Sequence, residues 1–303
     1  MTQSNKLCVV AVVVTYQPTI DVLEQLLDAI VPQVMYVVVV DNGSYSDLTA
    51  WNSERDTRAV KLLRLGENRG IAAAQNIGIQ WARDRLAGFV LLMDQDSIPA
   101  PDMVEKLIST ISEHPLPAAA GPRYLDKRQD NPPPFIRVRG LRLERCACST
   151  GGSVVPVDYL IASGCLIPMT VLDKVGGMRD DLFIDYVDIE WGLRARIHGF
   201  QSYGVCSAHM QHSLGDHPIS FFGKSIPLHS PLRHYYHFRN AVLLYKEPWV
   251  PLNWKLVDGW CVCLKYVFYL LFAKPRMAHW RMMTLGVWHG LVGKTGKFEG
   301  SAS

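Results

Sequence analysis

Residues 7–44 read LCVVAVVVTYQPTIDVLEQLLDAIVPQVMYVVVVDNGS, and this stretch decides the fold class. It opens with a continuous β-branched run, Leu7–Thr15, which predicts a strand covered on both faces of a parallel sheet. Apolar residues then recur at helical spacing up to Ile30, and a second all-apolar strand follows at Tyr36–Val40. Two buried strands joined by a helix form a βαβ unit, so we expect an α/β protein with a Rossmann-like, mostly parallel sheet.

The alternation of strands and helices continues as far as residue 122. Further strands are predicted near 61–65 and 89–93, and further helices over 71–85 and 101–114. Residues 1–122 therefore form a regular α/β half.

The pattern changes after residue 122. Residues 123–156 contain the run NPPP at 131–134 and are predicted to be irregular. Residues 157–245 have α+β character, with a helix predicted over 188–198 and a strand over 202–208.

Residues 246–303 form a tail in which aromatic residues are mixed with lysine and arginine. Asp258 and Lys265 interrupt its apolar stretches, so a membrane-spanning helix is not expected. The composition favours amphipathic helices that lie in the headgroup region of a membrane surface. A buried helix pair or a dimer interface is the alternative interpretation.

Composition and charge limit the class of protein. The chain is 49% hydrophobic and 19% charged, which is typical of an ordered globular protein. A net charge of +3 spread along the chain argues against a nucleic-acid partner. Seven cysteines without a C-x-x-C pair predict neither a disulfide framework nor a zinc site, and a reducing compartment is expected. The run Leu7–Val14 is too short, and lacks the cleavage site, for a signal peptide.

Asp94, Gln95 and Asp96 follow the predicted strand at 89–93 and form the most informative motif. Residues i and i+2 of an extended chain project to the same side, so Asp94 and Asp96 can address one point. In open α/β sheets ligands bind outside the carboxyl ends of the strands. Two carboxylates there suit Mg²⁺ or Mn²⁺ bridging a diphosphate, and a solvated turn is the alternative.

Polar residues also end the neighbouring strands. Thr15 ends the first strand, and Asp41 and Asn42 end the second. A carboxylate at position 41 can accept the N3–H of a pyrimidine ring, although Asp-Asn-Gly is also an ordinary turn sequence. Arg69 precedes a predicted helix whose N–H groups attract an anion, so it can pair with phosphate; a solvated loop arginine is the alternative.

Seven stretches, in order along residues 7–245, resemble known glycosyltransferases. Family 2 glycosyltransferases are resembled by VVVTY (12–16), VDNGS (40–44), ENRGIAAAQNIG (67–78) and LLMDQDS (91–97). The bacterial rhamnosyltransferase branch of that family is resembled by IASGCLI (161–167), LFIDYVDIEWGLRA (182–195) and QHSLG (211–215).

The resemblance implies a GT-A fold and assigns roles to its parts. Residues 1–122 would bind the nucleotide sugar, and residues 123–245 would form the acceptor-side, catalytic half of the same domain. The nucleotide-sugar contacts would be Thr15, Asp41, Asn42, Arg69, Asp94 and Gln95. Asp96 would be the main metal ligand, with Asp94 beside it and His212 completing the site.

Asp188 matches the position of the catalytic base in this family, and it follows Val187 where many relatives carry an acidic residue. Asp185 is the alternative base, and Glu190 would orient it or an acceptor hydroxyl. All three also lie where acidic residues favour a helix start, so they can be simple helix caps. The helix dipole is expected to keep Asp188 ionised and to make it a weak base.

We therefore expect an inverting transferase that moves L-rhamnose from dTDP-L-rhamnose to a lipopolysaccharide or lipid-linked glycan at the cytoplasmic face of the inner membrane. The oligomeric state stays open. The alternatives are a UDP-linked sugar donor and a non-catalytic relative that binds nucleotide sugars or glycans.

Overall fold

The computed structural model describes residues 8–46, 48, 51, 59–125, 135–148, 153–212, 219–221, 224–226 and 228–300. Its strands are β1 Val9–Thr15, β2 Tyr36–Asp41, β3 Val60–Arg64, β4 Phe89–Asp94, β5 Ser97–Pro99, β6 Pro117–Leu125, β7 Phe135–Arg139, β8 Arg142–Cys146, β9 Val154–Val157, β10 Cys165–Pro168, β11 Gln201–His212, β12 Ile219–Phe221 and β13 Lys224–Ile226. Its helices are α1 Ile20–Ile30, α2 Ile71–Arg83, α3 Met103–Glu113, α4 Met169–Val175, α5 Val187–Ile197, α6 Pro231–Lys246, α7 Leu252–Phe272 and α8 Arg276–Val292.

Nine strands form one sheet in the order β3-β2-β1-β4-β10-β6-β11-β5, with β9 paired to β11. The first four are mutually parallel, and β10 joins β4 and β6 in antiparallel fashion. The predicted α/β fold with a mostly parallel sheet is confirmed. Strand β6 runs across the boundary predicted at residues 122 and 123, so both halves share this sheet.

The continuous apolar runs arise because the sheet is covered on both faces. In β1, Val10, Val12 and Val14 pack into one core cluster, while Val9 and Val13 pack into the other. All seven residues of β1 are buried, as expected for a central parallel strand between helices.

The described parts of residues 123–156, which are 123–125, 135–148 and 153–156, are more regular than predicted. Strands β7 and β8 form an antiparallel hairpin whose turn contains Gly140, at a φ of +59°, and β9 joins the main sheet. The sequence signal for this turn is one glycine, and the nearby proline run at 131–134 favours an irregular structure instead. The proline run itself lies outside the described residues.

A disulfide bond joins Cys148 and Cys206, with their Cα atoms 5.6 Å apart. The expectation that no cysteines pair is therefore wrong for these two. They are separated by 58 residues, and pairing of β11 with β9 brings them together, which spacing along the chain does not reveal.

The predicted helical tail is confirmed, and much of it packs on residues 123–245. Helix α8 approaches α6 closely at Gly286 and Gly290; a Cβ atom at Gly286 would lie 2.4 Å from the carbonyl oxygen of Tyr235. Within the described residues, no helix combines the length and apolarity needed to cross a bilayer.

Candidate active site

The carboxyl ends of β1, β2 and β4 meet at one edge of the sheet. Thr15 lies opposite Asp41 in the register, and Asp94 lies opposite Val14. Thr15 and Asp41 are almost fully buried, and the Thr15 hydroxyl has no hydrogen-bond partner among the described residues. A buried hydroxyl left without a partner is costly, so this edge is suited to receive a polar ligand group.

The Asp41 carboxylate already has protein partners. Its Oδ1 accepts from the Ser44 N–H at 3.2 Å, and its Oδ2 lies 3.8 Å from Nε of Arg64. Contact between Asp41 and a pyrimidine ring therefore stays a prediction.

Asn42 fixes the loop that carries Arg69. Its Oδ1 accepts from the Arg69 N–H at 2.9 Å, and its amide donates to Asn68 at 3.2 Å. The Arg69 side chain is half-exposed and lies 3.4 Å from Glu67, so it can reach a ligand at the start of α2. Asn42, predicted as a nucleotide contact, is placed as a support for that loop.

The Asp94-Gln95-Asp96 motif lies between β4 and β5. The Gln95 side chain accepts from the Tyr16 N–H at 2.8 Å and donates to the Tyr16 carbonyl at 3.2 Å. Gln95 thus ties the ends of β1 and β4 together, and its predicted contact with the donor stays a prediction.

The predicted metal ligands are only partly brought together. His212 pairs through its backbone with Ser97, next to Asp96, and its side chain lies outside the described residues. Among the side chains that the structure describes, no three His, Cys, Asp or Glu residues form a group able to hold a metal. Asp94 and Asp96 still fit Mg²⁺, which is usually bound by one or two carboxylates together with substrate phosphates and water.

The loop before α5 has an unusual backbone. Phe183, Asp185 and Tyr186 have φ values of +67°, +62° and +66°, a region that non-glycine residues seldom adopt. The Phe183 carbonyl accepts from the Ile71 N–H at 2.7 Å, which joins this loop to the Arg69 loop. Such strain persists only where surrounding contacts impose it, and it is frequent at functional sites.

Asp188 lies in the first turn of α5 and is partly buried. It borders a mostly apolar pocket whose lining includes Leu92, Cys165 and Trp191. Burial raises the pKa of Asp188 to about 6; the N–H of Ile189, which donates to Oδ1 at 2.9 Å, opposes the rise, and the negative charges of Asp185 and Asp94 add to it. The expectation that the helix dipole makes Asp188 a weak base is therefore wrong, because burial outweighs the dipole.

Asp185 is held in an ion pair. Its carboxylate lies 3.3 Å from the Arg233 guanidinium on α6. This ion pair joins the loop before α5 to α6.

Glu190 is buried and paired inside the protein. It is 1% exposed, and its two oxygens accept from Arg194 at 2.8 and 2.9 Å. Arg194 in turn donates to the Gly177 carbonyl, so this pair joins α5 to the segment after α4. The predicted role of Glu190, in orienting Asp185 or an acceptor hydroxyl, stays a prediction.

Two fully buried residues of α6 hold the loop before α5, and sequence reasoning missed both. The Asn240 amide nitrogen lies 2.9, 2.8 and 2.9 Å from the carbonyl oxygens of Leu182, Ile184 and Asp185. Arg239 donates to the Leu182 carbonyl at 2.8 Å and to the Asn240 Oδ1 at 2.9 Å, which orients the amide toward the loop. The available signal is an Arg-Asn pair between the aromatic residues at 235–238 and the apolar residues at 241–244.

The tail also contacts this loop. The Tyr186 hydroxyl donates to Asp258 of α7 at 2.8 Å, and the Tyr245 hydroxyl donates to the same oxygen at 2.6 Å. Asp258, which interrupts the apolar tail in the sequence, therefore binds Tyr186 inside the protein, and Tyr186 lies two residues before Asp188.

The open sheet, with polar residues at its carboxyl edge and a partly buried carboxylate in the first turn of α5, is that of a GT-A glycosyltransferase. The profile of glycosyl transferase family 2 matches residues 10–166. The chain belongs to this family and is a glycosyltransferase.

Relatives of the chain extend the match over most of its length. It is 33% identical over 288 residues to the dTDP-rhamnosyl transferase RfbF of Shigella flexneri, covering 94% of this chain and 96% of that protein. It is 26% identical to the low-salt glycan biosynthesis hexosyltransferase Agl10 of Haloferax volcanii, covering 86% of this chain and 84% of that protein. The crystal structure of GalNAc-T7 with UDP, GalNAc and Mn²⁺ has a TM-score of 0.61 at 13% identity; the match covers 90% of this chain and 59% of that one.

Proposed function

We propose that this glycosyltransferase moves L-rhamnose from dTDP-L-rhamnose to a hydroxyl of a lipopolysaccharide or lipid-linked glycan. The observation that carries the proposal is the 33% identity to a dTDP-rhamnosyl transferase over nearly the whole of both chains. The edge formed by Thr15, Asp41 and Asp94 would receive the nucleoside diphosphate part of the donor, dTDP. The unpartnered Thr15 hydroxyl supports a ligand at this edge.

Asp188 would act as the base in a direct, inverting displacement. Its raised pKa suits the task, because a base with a pKa near the working pH accepts a proton more readily than an ordinary carboxylate. Asp185, paired with Arg233, would position the acceptor side of the site, and Asn240 would fix the loop on which Asp185 lies.

We also propose that Asp94 and Asp96 hold Mg²⁺ or Mn²⁺, with His212 as a further ligand. When bound, the cation would neutralise charge on the diphosphate leaving group. The bound Mn²⁺ of a protein with the same fold supports a divalent ion of this kind.

A donor panel tests the proposal directly. Purified protein, a glycolipid acceptor fraction and Mg²⁺ or Mn²⁺ would be incubated with dTDP-L-rhamnose, UDP-linked hexoses or GDP-mannose. We expect acceptor-dependent nucleotide release with dTDP-L-rhamnose far above the others. Faster release from a UDP-linked sugar would overturn the donor assignment, and release without a divalent ion would overturn the metal site.

The pH dependence follows from Asp188. The carboxylate must be ionised to accept a proton, so kcat/KM should rise about tenfold per pH unit below pH 6 and level off above it. Initial rates from pH 5 to pH 8 at saturating metal measure this limb. A rate that is flat across about pH 6 would show that another group is the base.

Asn240 provides a second prediction. In Asn240→Asp a carboxylate oxygen replaces the amide nitrogen that donates to the loop carbonyls, so the loop should move and kcat should fall about 10- to 100-fold. The Kd for dTDP should stay near the wild-type value, and the acid limb of the pH profile should shift. Asn240→Ser, which keeps one donor, should be intermediate.

The matched control is Gln80→Glu, which makes the same amide-to-carboxylate change on the exposed face of α2. It should retain wild-type kcat. Loss of dTDP affinity in parallel with kcat in Asn240→Asp would indicate general unfolding and would count against a positioning role.

For localisation we propose the cytoplasmic face of the inner membrane, where a nucleotide-activated donor and a lipid-linked acceptor can meet. The basic, aromatic tail supports contact with a membrane surface.

A further inference from the structure

Helix α7 exposes a continuous apolar stripe. Its members recur every three or four residues and fall within an arc of about 120° at 3.6 residues per turn. They are Leu252, Leu256, Trp260, Leu264, Val267 and Leu271, each more than half exposed. The opposite face of the helix, with Trp254, Val257, Val262 and Tyr269, is buried. A patch of this size on a folded protein marks an interaction surface.

The hairpin β7–β8 adjoins the start of this stripe. The side chain of Asn253 on α7 donates to the Gly140 carbonyl in the hairpin turn at 3.1 Å. Leu141, beside that glycine, is 68% exposed, similar to Leu252 at 69%. The apolar stripe therefore has an apolar neighbour at the hairpin tip.

Basic residues predominate on the hairpin and along residues 248–294. Arg139, Arg142 and Arg145 are exposed on the hairpin, whereas Arg137 is paired with Glu144 at 2.7 Å. Residues 248–294 contain six lysines and arginines and one acidic residue, Asp258. Because Asp258 accepts from Tyr186 and Tyr245 inside the protein, it does not offset these charges at the surface.

We propose that the hairpin β7–β8 and the outward face of α7 form one docking surface for a bilayer that contains anionic lipid. The docking surface consists of Arg139, Leu141 and Arg142 together with the six residues of the stripe. The arginines contact headgroup phosphates, and Trp260 and the leucines enter the interfacial region. A second copy of the chain fits less well, because two such surfaces would bring like charges together.

Docking there would also place the site at the membrane. Asp258 lies on the inner face of α7 and binds Tyr186, two residues before Asp188, so the lipid-facing helix is in direct contact with the catalytic loop. A lipid-linked acceptor would thus meet the base close to its own bilayer. This step rests on the proposed function, whereas lipid binding itself does not.

Vesicle flotation with the full-length protein tests the proposal. Vesicles of phosphatidylcholine alone would be compared with vesicles that also contain phosphatidylglycerol, at low and high salt. We expect binding that requires the anionic lipid and weakens with salt. Arg139→Ala/Arg142→Ala should weaken that binding about 25-fold, at about fivefold for each arginine, and Trp260→Glu should weaken it at least about tenfold.

The control is Arg83→Ala/Arg85→Ala, which removes the same charge from the end of α2 and should bind as the wild type does. All variants should release dTDP at the wild-type rate with acceptor dispersed in detergent, so loss of docking is separable from failure of the proposed function. An equal loss of vesicle binding in Arg83→Ala/Arg85→Ala would show that only net charge matters and would overturn the proposed docking surface. Light scattering could instead show that the protein is a dimer, that Trp260→Glu converts the dimer to monomers, and that vesicles do not change this equilibrium. That result would assign the stripe to contact with a second copy of the chain.

Discussion

Asp188→Asn should reduce kcat by between about 10² and 10⁴-fold, the usual contribution of a positioned proton acceptor. The amide has almost the same shape as the carboxylate but cannot take a proton from the acceptor hydroxyl. Because Asp188 borders a mostly apolar pocket and is not among the residues proposed to hold the nucleotide, the Kd for dTDP should hardly change. Rapid-quench rates together with calorimetric titration of dTDP measure both quantities.

The variant should also be at least as stable as the wild type. Folding raises the pKa of the Asp188 carboxyl, so the folded protein becomes less stable as pH increases through about 6 and this carboxyl ionises. The neutral amide of the variant avoids that loss of stability. The control is Asp84→Asn, which removes one carboxylate at the exposed end of α2 and should leave kcat unchanged. Wild-type turnover by Asp188→Asn would show that the base lies elsewhere, with Asp185 the next candidate.

Asp96→Asn should be as damaging for a different reason. The change weakens a hard oxygen ligand, and a cation that stabilises charge in the transition state by about 4 kcal/mol corresponds to about 10³-fold in rate. Unlike Asp188→Asn, this variant should bind dTDP more weakly than the wild type does in the presence of Mn²⁺. In the presence of a chelator, the variant and the wild type should bind dTDP equally.

That contrast in dTDP affinity separates the two carboxylates. Titration of dTDP with and without Mn²⁺ would be performed on both variants and on the wild type. Metal-dependent affinity that survives Asp96→Asn would move the cation to other ligands. Loss of affinity in Asp188→Asn would place that residue in the donor site.

The sheet and its ligand edge could be predicted because they depend on short-range patterns. Strands of the buried parallel type are continuous apolar runs, and helices between them have a distinct spacing, so β1, α1 and β2 follow from residues 7–44. Parallel strands end at one edge, so Thr15, Asp41 and Asp94 were expected together, as the register places them.

The environment of the base could not be predicted from the same patterns. A position near a helix start predicts an ionised, weakly basic Asp188, whereas its pKa is set mainly by burial among residues from β4, β10 and α5. Burial of this kind depends on packing between distant segments. The sign of the effect therefore became clear only from the three-dimensional structure.

Long-range polar contacts were missed for a related reason. Asn240 lies 55 to 58 residues from the carbonyls that it holds, and Asp258 lies 72 residues from Tyr186. The carboxylate of Asp258 is expected from sequence to be a break in a membrane-facing stretch, but it accepts a hydrogen bond from Tyr186 in the loop before α5. The exposed stripe on the other face of α7 keeps the membrane prediction open to test.

The most direct test of the central claim is the product formed from dTDP-L-rhamnose and an envelope glycolipid fraction. NMR and mass spectrometry of the purified product would report the transferred sugar and its anomeric configuration. We expect one rhamnose joined to an acceptor hydroxyl with the configuration opposite to that in the donor, formed by the wild type and hardly at all by Asp188→Asn. Retained configuration, or equal product from the Asp188→Asn variant, would contradict direct displacement assisted by this base.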